Sequence, residues 1–201
     1  MYIEQELRQK GFKYFIGVDE AGRGPLAGPV VACAVFLDNL KSLPRKLAES
    51  KTLSLQRRTF FYNRITKNFK YATSIVDHEV IDKLNIYVAS HHAFMLCLSA
   101  LLEKFEIDVE VTAIIIDGPS FIFRDKFSNV FCFIGADRRS KACQIASIVA
   151  KVTRDRIMEE YAKIYPEYGF HIHKGYATQL HKERIRKYGP CRIHRRSFKL
   201  G

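Results

Sequence analysis

The sequence predicts an α/β or α+β domain layered on a central mixed sheet. Three observations carry this expectation. Five short stretches are rich in β-branched and aromatic residues, four longer stretches read as helices, two of them with apolar residues at helical spacing, and strands come first before alternating with helices. At 201 residues and 47% hydrophobic content, the chain can bury a full core as a single domain, 1–201, and its composition is not that of a disordered chain. It contains no internal repeat, low-complexity tract or Pro/Gly/Ser-rich linker.

The elements follow in order. Residues 14–19 (YFIGVD) and 30–37 (VVACAVFL) read as strands on either side of a glycine-rich turn. Residues 70–77 form a third strand. The apolar run 112–117 (TAIIID) forms a fourth, covered on both faces, and 130–134 a fifth. A helix over 54–67 starts from Ser54 as N-cap and leaves Gln56, Arg57 and Arg58 outside. A helix over 87–105 carries Val88, Phe94, Met95, Leu98, Leu102 and Phe105 on one face. A long helix over 140–164 stops before Pro166, and a basic helix spans 176–187. From about residue 166 the chain becomes a basic, helical C-terminal segment.

Charge narrows the function. Thirty-three Lys and Arg against 21 Asp and Glu give a formal charge of +12. Such an excess repels itself and suits a polyanionic partner, whose phosphates release counterions when neutralised. A ribosome-associated or merely basic protein is the alternative. Residues 182–201 hold eight Lys and Arg against Glu183 alone, so Arg184, Lys187, Arg192, Arg195 and Arg196 are candidates for phosphate contacts. The five cysteines have no Cys-x-x-Cys pair and read as reduced core residues, as in a cytoplasmic protein. A zinc site at Cys191 and His194, with His171 and His173 upstream, is the alternative. Residues 1–13 lack the apolar core of a signal peptide, and no run reads as long enough to span a membrane. The expectation is a cytoplasmic, monomeric protein without a membrane partner.

Four acids sit where a core would not want them. Asp19 ends the first strand and is followed by Glu20, and Asp117 ends the fourth strand. Asp155 falls on the inward stripe of the long helix with Ile145, Ile148, Val149, Val152, Ile157, Tyr161 and Ile164, between Arg154 and Arg156. Each alone suits a turn cap or an ion pair. Together, carboxylates gathered in one place repel one another, and divalent cations such as Mg²⁺ or Mn²⁺ relieve that repulsion. A basic surface around an acidic, metal-binding centre points to phosphodiester chemistry. A non-catalytic nucleic-acid-binding module is the other class that composition permits. Its weakness is that these acids would repel a phosphate without a metal.

The stretch Gly17-Val18-Asp19-Glu20-Ala21-Gly22-Arg23-Gly24-Pro25-Leu26-Ala27-Gly28-Pro29-Val30-Val31 resembles the signature of ribonuclease HII. Ile116-Asp117-Gly118 is similar to that family, and so is the run from Ala146 to Arg156. So are Tyr168-Gly169-Phe170, His173 to Thr178, His181, Tyr188-Gly189-Pro190 and Ile193 to Phe198. The matches cover about residues 13–198 in the family's order. The resemblance implies the ribonuclease H-like fold, with a central mixed five-stranded sheet flanked by helices. It implies a metal-binding catalytic cluster of Asp19, Glu20, Asp117 and Asp155 holding two Mg²⁺ or Mn²⁺ ions.

The implied substrates are RNA–DNA hybrids and duplex DNA containing ribonucleotides. Cleavage on the 5′ side of the ribonucleotide would leave 3′-hydroxyl and 5′-phosphate ends. Gly22, Arg23 and Gly24 would read the 2′-hydroxyl, Tyr176 would stack on the neighbouring sugar, and Ser50 and Lys51 would lie near the phosphate, with Glu49 in place of the family's Asp. Asn85, Ser147 and Lys151 would touch the DNA backbone. The chain departs from the family where Lys-Gly-Asp is usual: it reads Gly135-Ala136-Asp137, and Arg138 or Arg139 takes the lysine's place. Ribonuclease HIII is the nearest rival, but its relatives are longer at the N-terminus and carry Glu as the fourth acid.

Overall fold

A computed structural model of the chain describes residues 2–38 and 55–200. Ser50, Lys51 and the expected Ser54 cap lie outside the described residues. Helix α1 (Ile3–Gln9) leads into β1 (Tyr14–Ala21) and β2 (Val30–Leu37), followed by α2 (Leu55–Asn68), β3 (Tyr71–Val76), α3 (His78–Lys104), β4 (Thr112–Asp117) and β5 (Val130–Phe133). The short α4 (Ala136–Arg139), the long α5 (Lys141–Ile164), α6 (Phe170–His173) and α7 (Gln179–Tyr188) complete the chain.

The five strands form one mixed sheet in the order β3-β2-β1-β4-β5. β1 pairs antiparallel with β2 and parallel with β4, and β4 pairs parallel with β5. Successive side chains alternate between two cores, as a strand's period of two requires. Phe15, Cys33, Val35, Ala113 and Ile115 pack with α1, α2 and α5 on one face, whereas Ile16, Val18, Ala32, Ala34, Ile114 and Ile116 pack with α3 on the other.

Gly17 lies on the α5 face. A Cβ there would stand 2.1 Å from the Ala142 carbonyl carbon, so only glycine lets the first turn of α5 lie directly on β1. That turn is capped twice. Ser140 Oγ accepts from Cys143 N at 3.1 Å, while Glu4 Oε1, reaching across from α1, accepts from Ser140 Oγ at 2.7 Å and Ala142 N at 3.0 Å.

The expected helix over 87–105 is the second part of α3. A first part, capped by Asp77 on Val80 N, runs up to a break at Asn85, whose φ is +65°. Asn85 Oδ1 then accepts from Val88 N at 3.1 Å and caps the restart. By length and mean hydropathy (1.3) α3 could cross a membrane, contrary to the reading that no run is long enough; here its buried residues form the core on one face of the sheet. A third apolar cluster, including Leu26, Met158, Tyr168, Phe170, Ile185 and Ile193, joins the C-terminal segment to the glycine-rich loop. The last helix starts three residues later than expected, from the cap Thr178, so Tyr176 precedes the helix instead of opening it.

Candidate active site

The ladder between β1 and β4 ends at Val18↔Ile116, whereas that between β1 and β2 continues to Ala21↔Val31. Among the described residues, the last residues of β1 therefore have a neighbouring strand on one side only. Asp19 lies on this stretch, on the face that Gly17 shares and α5 covers. Asp117 ends β4, and Asp137 sits on α4 just beyond β5. Carboxylate oxygens of Asp19, Asp117 and Asp137 lie within 4.8 Å of one another, a spacing that could hold a metal ion.

Polar neighbours fix the acids in place. Asp19 Oδ1 accepts from the Glu20 main-chain N at 2.7 Å, and the Ser147 hydroxyl also hydrogen-bonds Asp19. Asp117 Oδ1 accepts from Ala136 N at 2.9 Å, which ties β4 to the start of α4. Burial, then the Glu20 and Asp117 charges, push the Asp19 carboxyl well above the ordinary range. Burial raises Glu20 to about 7, with Asp117 adding to the rise and Arg23, 3.5 Å away, opposing it. Among the described residues, the buried Oε2 of Glu20 has no hydrogen-bond partner. Clustered, desolvated carboxylates with an unsatisfied oxygen suit a hard divalent cation, which takes oxygen ligands and offsets their repulsion.

Asp155 is not part of this group. It is buried, as its helical position predicts, but Oδ1 meets Lys151 Nζ at 2.6 Å and Oδ2 lies 3.7 Å from Arg58. The fourth acid expected at Asp155 is thus replaced in the cluster by Asp137. Helical periodicity identified an inward-facing residue, and the interior at that point is lined with cations. The expected pairing of Asp155 with Arg154 and Arg156 is also replaced. Arg154 donates to main-chain carbonyls, and Arg156 lies over the Tyr62 ring, 4.4 Å from its centroid. Further along the same helix, Met158 is fully buried while Ile164 is exposed, so the inward stripe is not continued to its end.

An open cleft of about 490 Å³ is lined by Glu20, Ala21, Gly22, Arg23, Gly24, Arg58, Ser147, Ile148, Lys151 and Tyr176. It gathers seven of the residues expected from sequence, drawn from β1, its following loop, α5 and the turn before α7. Arg58 was not expected there, although its position on α2, which packs against α5, brings it to the rim. Tyr176 is partly exposed, with the Lys151 ammonium 5.6 Å and the Arg154 guanidinium 5.7 Å from its ring centroid.

Other expected contacts fall elsewhere. Asn85 is exposed and serves as a helix cap. Arg196 is exposed, and its main-chain N donates to Asp82 Oδ2 at 2.8 Å. Arg195 cannot be a phosphate contact as placed, because it is fully buried and donates to the carbonyls of Gly22, Arg23 and Gly28. Among the described residues, the zinc alternative gathers no group of three ligand atoms. Both ring nitrogens of His173 face main-chain groups, and those of His194 face His181 and Cys191.

A mixed β3-β2-β1-β4-β5 sheet with carboxylates meeting at the ends of adjacent strands defines a nuclease of the ribonuclease H type. The solved structure of ribonuclease H2 from Pyrococcus horikoshii OT3 is similar, with a TM-score of 0.75, 25% identity, and coverage of 93% of this chain and 94% of that one. Bst-RNase HIII, solved in complex with Mn²⁺, shares the fold at a TM-score of 0.78 and 20% identity, covering 93% of this chain and 67% of that one. The model of the family Ribonuclease HII matches residues 16–201. A curated Ribonuclease HII from Bacillus licheniformis is 44% identical over 198 residues, which is 98% of this chain and 73% of the relative. The chain belongs to the ribonuclease HII family.

Proposed function

We propose that this enzyme cuts the RNA strand of RNA–DNA hybrids and nicks duplex DNA on the 5′ side of embedded ribonucleotides, leaving 3′-hydroxyl and 5′-phosphate ends. The observation that carries the reading is the convergence of Asp19, Asp117 and Asp137 to within 4.8 Å, in a protein of formal charge +12. Asp19, Glu20, Asp117 and Asp137 would hold divalent cations, Mg²⁺ or Mn²⁺, in the number two that in-line phosphodiester hydrolysis uses. Bound there, the cations supply positive charge at the scissile phosphate and make a coordinated water more acidic.

The chain's own groups do the rest. Ser147 and the Glu20 main-chain N hold the Asp19 carboxylate in one orientation, and Ala136 N does the same for Asp117. Lys151 and Arg58 present positive charge to the nucleic-acid backbone from the cleft wall. The Gly22-Arg23-Gly24 loop, without bulky side chains at its glycines, lets main-chain atoms approach a sugar edge and its 2′-hydroxyl. Tyr176 offers a ring face to a neighbouring sugar.

The test is incubation with a uniform RNA–DNA hybrid and with a DNA duplex holding one ribonucleotide, each with Mg²⁺, Mn²⁺ or EDTA. Metal-dependent cleavage of both is expected. Tight binding with no cleavage under any metal would favour the non-catalytic module.

A further inference from the structure

Two arginines from distant parts of the chain, Arg154 on α5 and Arg195 near the C-terminus, are both fully buried. Buried guanidinium groups normally take carboxylate partners, since an uncompensated charge in the interior is costly. Among the described residues, the hydrogen bonds of these two go to main-chain carbonyls instead. Arg195 donates through Nε to Gly28 O at 2.9 Å, through Nη1 to Arg23 O at 3.0 Å and through Nη2 to Gly22 O at 2.6 Å. Arg154 donates through Nε to Pro29 O at 2.9 Å, through Nη2 to Ala27 O at 3.1 Å and through Nη1 to Lys174 O at 3.0 Å.

The Arg195 main-chain N takes Leu26 O at 2.9 Å, and Leu26 N in turn donates to Gly175 O at 2.8 Å. Between Gly22 and Pro29, the carbonyls of Gly22, Arg23, Leu26, Ala27, Gly28 and Pro29 are thus all held by these two residues. Arg154 ties the loop to Lys174, and Leu26 N ties it to Gly175, immediately before Tyr176.

The geometry has a directional consequence. In a trans peptide the N–H points opposite to the C=O. With the Gly22 and Arg23 carbonyls turned onto Arg195, the N–H groups of Arg23 and Gly24 point away from it. Gly22, Arg23 and Gly24 line the cleft, so those donors are oriented before any substrate arrives. The fit is tight: a Cβ on Gly22 would stand 2.2 Å from Arg154 Nε.

We propose that Arg154 and Arg195 are positioning residues, a buried guanidinium clamp that fixes the Gly22–Gly24 loop and the Tyr176 turn in one arrangement and thereby sets selectivity for a ribonucleotide. This rests on the reading that the loop and Tyr176 meet the ribonucleotide. Neither arginine touches substrate. Burial, together with Arg154's charge, lowers Arg195 to about 9, in keeping with two cations confined side by side.

The experiment compares the wild-type protein with Arg195→Lys, Arg154→Lys and Arg195→Ala on a DNA duplex holding one ribonucleotide, with the folded fraction measured by circular dichroism. A lysine supplies the charge but cannot reach three divergent carbonyls. For folded Arg→Lys variants, kcat should fall about 10- to 100-fold, the cost of a small misplacement. KM should change little. Guanidinium ion at millimolar concentration should restore part of the kcat of Arg195→Ala, and sodium at equal ionic strength should not.

Wild-type kcat in a folded Arg→Lys variant, or a loss confined to KM, would overturn the clamp. So would a lowered melting temperature with unchanged kcat at temperatures where the variant is folded. If Arg195 variants do not fold, Arg154→Lys gives the same readings from the other end of the loop. If the wild-type enzyme itself fails to nick at the ribonucleotide, the functional reading fails rather than the clamp.

Discussion

Asp137 and Asp155 are both buried aspartates near α5, yet they stand in opposite settings. Asp137 meets two other carboxylates, Asp19 and Asp117, at the end of the sheet. Asp155, further along α5, has one oxygen on Lys151 and the other near Arg58. At the first site the protein gathers like charges and lets desolvation raise Asp19 and Glu20. At the second it answers one acid with two bases. The difference teaches that burial alone does not mark a metal ligand. What marks it is a local excess of negative charge that the fold tolerates for the sake of something that binds there.

The strongest way to break this contrast is Asp117→Asn. The variant should fold and bind hybrid, while cleavage falls by several orders of magnitude in a gel-based assay. Near-normal turnover would remove the cluster from the chemistry. A smaller effect is expected for Ser147→Ala, which frees the Asp19 carboxylate from its hydroxyl partner. Such supporting contacts are worth about 10- to 100-fold in metal affinity or activity. A titration of activity against Mn²⁺ should shift to higher metal by an amount in that range, and an unchanged curve would show that Ser147 plays no part in orienting Asp19.

The C-terminal wall sharpens the contrast further, because it keeps buried titratable groups neutral. His181 Nδ1 faces the Tyr176 carbonyl and must carry a proton, so its Nε2 accepts from His194 Nε2 at 3.0 Å. Burial holds both rings at about 4, below the ordinary 6.5. The unfolded chain therefore takes up protons in a range where the folded rings refuse them. These rings should leave stability unaffected above pH 6.5 and lower it as pH falls from 6.5 towards 4. Urea midpoints measured across that window should drop for the wild type and drop less for His181→Asn.

Much of this molecule is legible in its sequence because its strands are uniform. The run Thr112–Asp117 is apolar on both faces, and the structure covers it on both faces. The Asp19-to-Gly24 segment and Asp117 are also readable, since they sit at the ends of such runs. Asp137 was harder. It lies on a four-residue helix entered through the left-handed Gly135, too short to show a period. Its one signal in the sequence is the resemblance: Asp137 keeps the aspartate of the family's Lys-Gly-Asp segment.

Arg195 and Arg196 are neighbours in one basic run, and nothing in a charge pattern says that the first turns inward and the second stays out. That distinction comes from the glycine-rich loop, whose carbonyls are 167 or more residues away in the chain and need a donor. Asp155 departs from its expected place for a related reason. Periodicity reports which way a helical residue faces, and only the packing of α2 against α5 supplies Arg58 as its partner.

The most direct test of the central claim is thermal unfolding of wild-type, Asp137→Asn and Asp155→Asn proteins, each with EDTA and with Mn²⁺. Removing one of three crowded carboxylates relieves repulsion, so Asp137→Asn should melt above the wild type in EDTA and gain little from metal. The wild type and Asp155→Asn should both gain on metal addition, by about 3 kcal/mol at metal 100-fold above the dissociation constant. A full metal-induced shift in Asp137→Asn, with none in Asp155→Asn, would return the fourth acid to Asp155 and contradict the account.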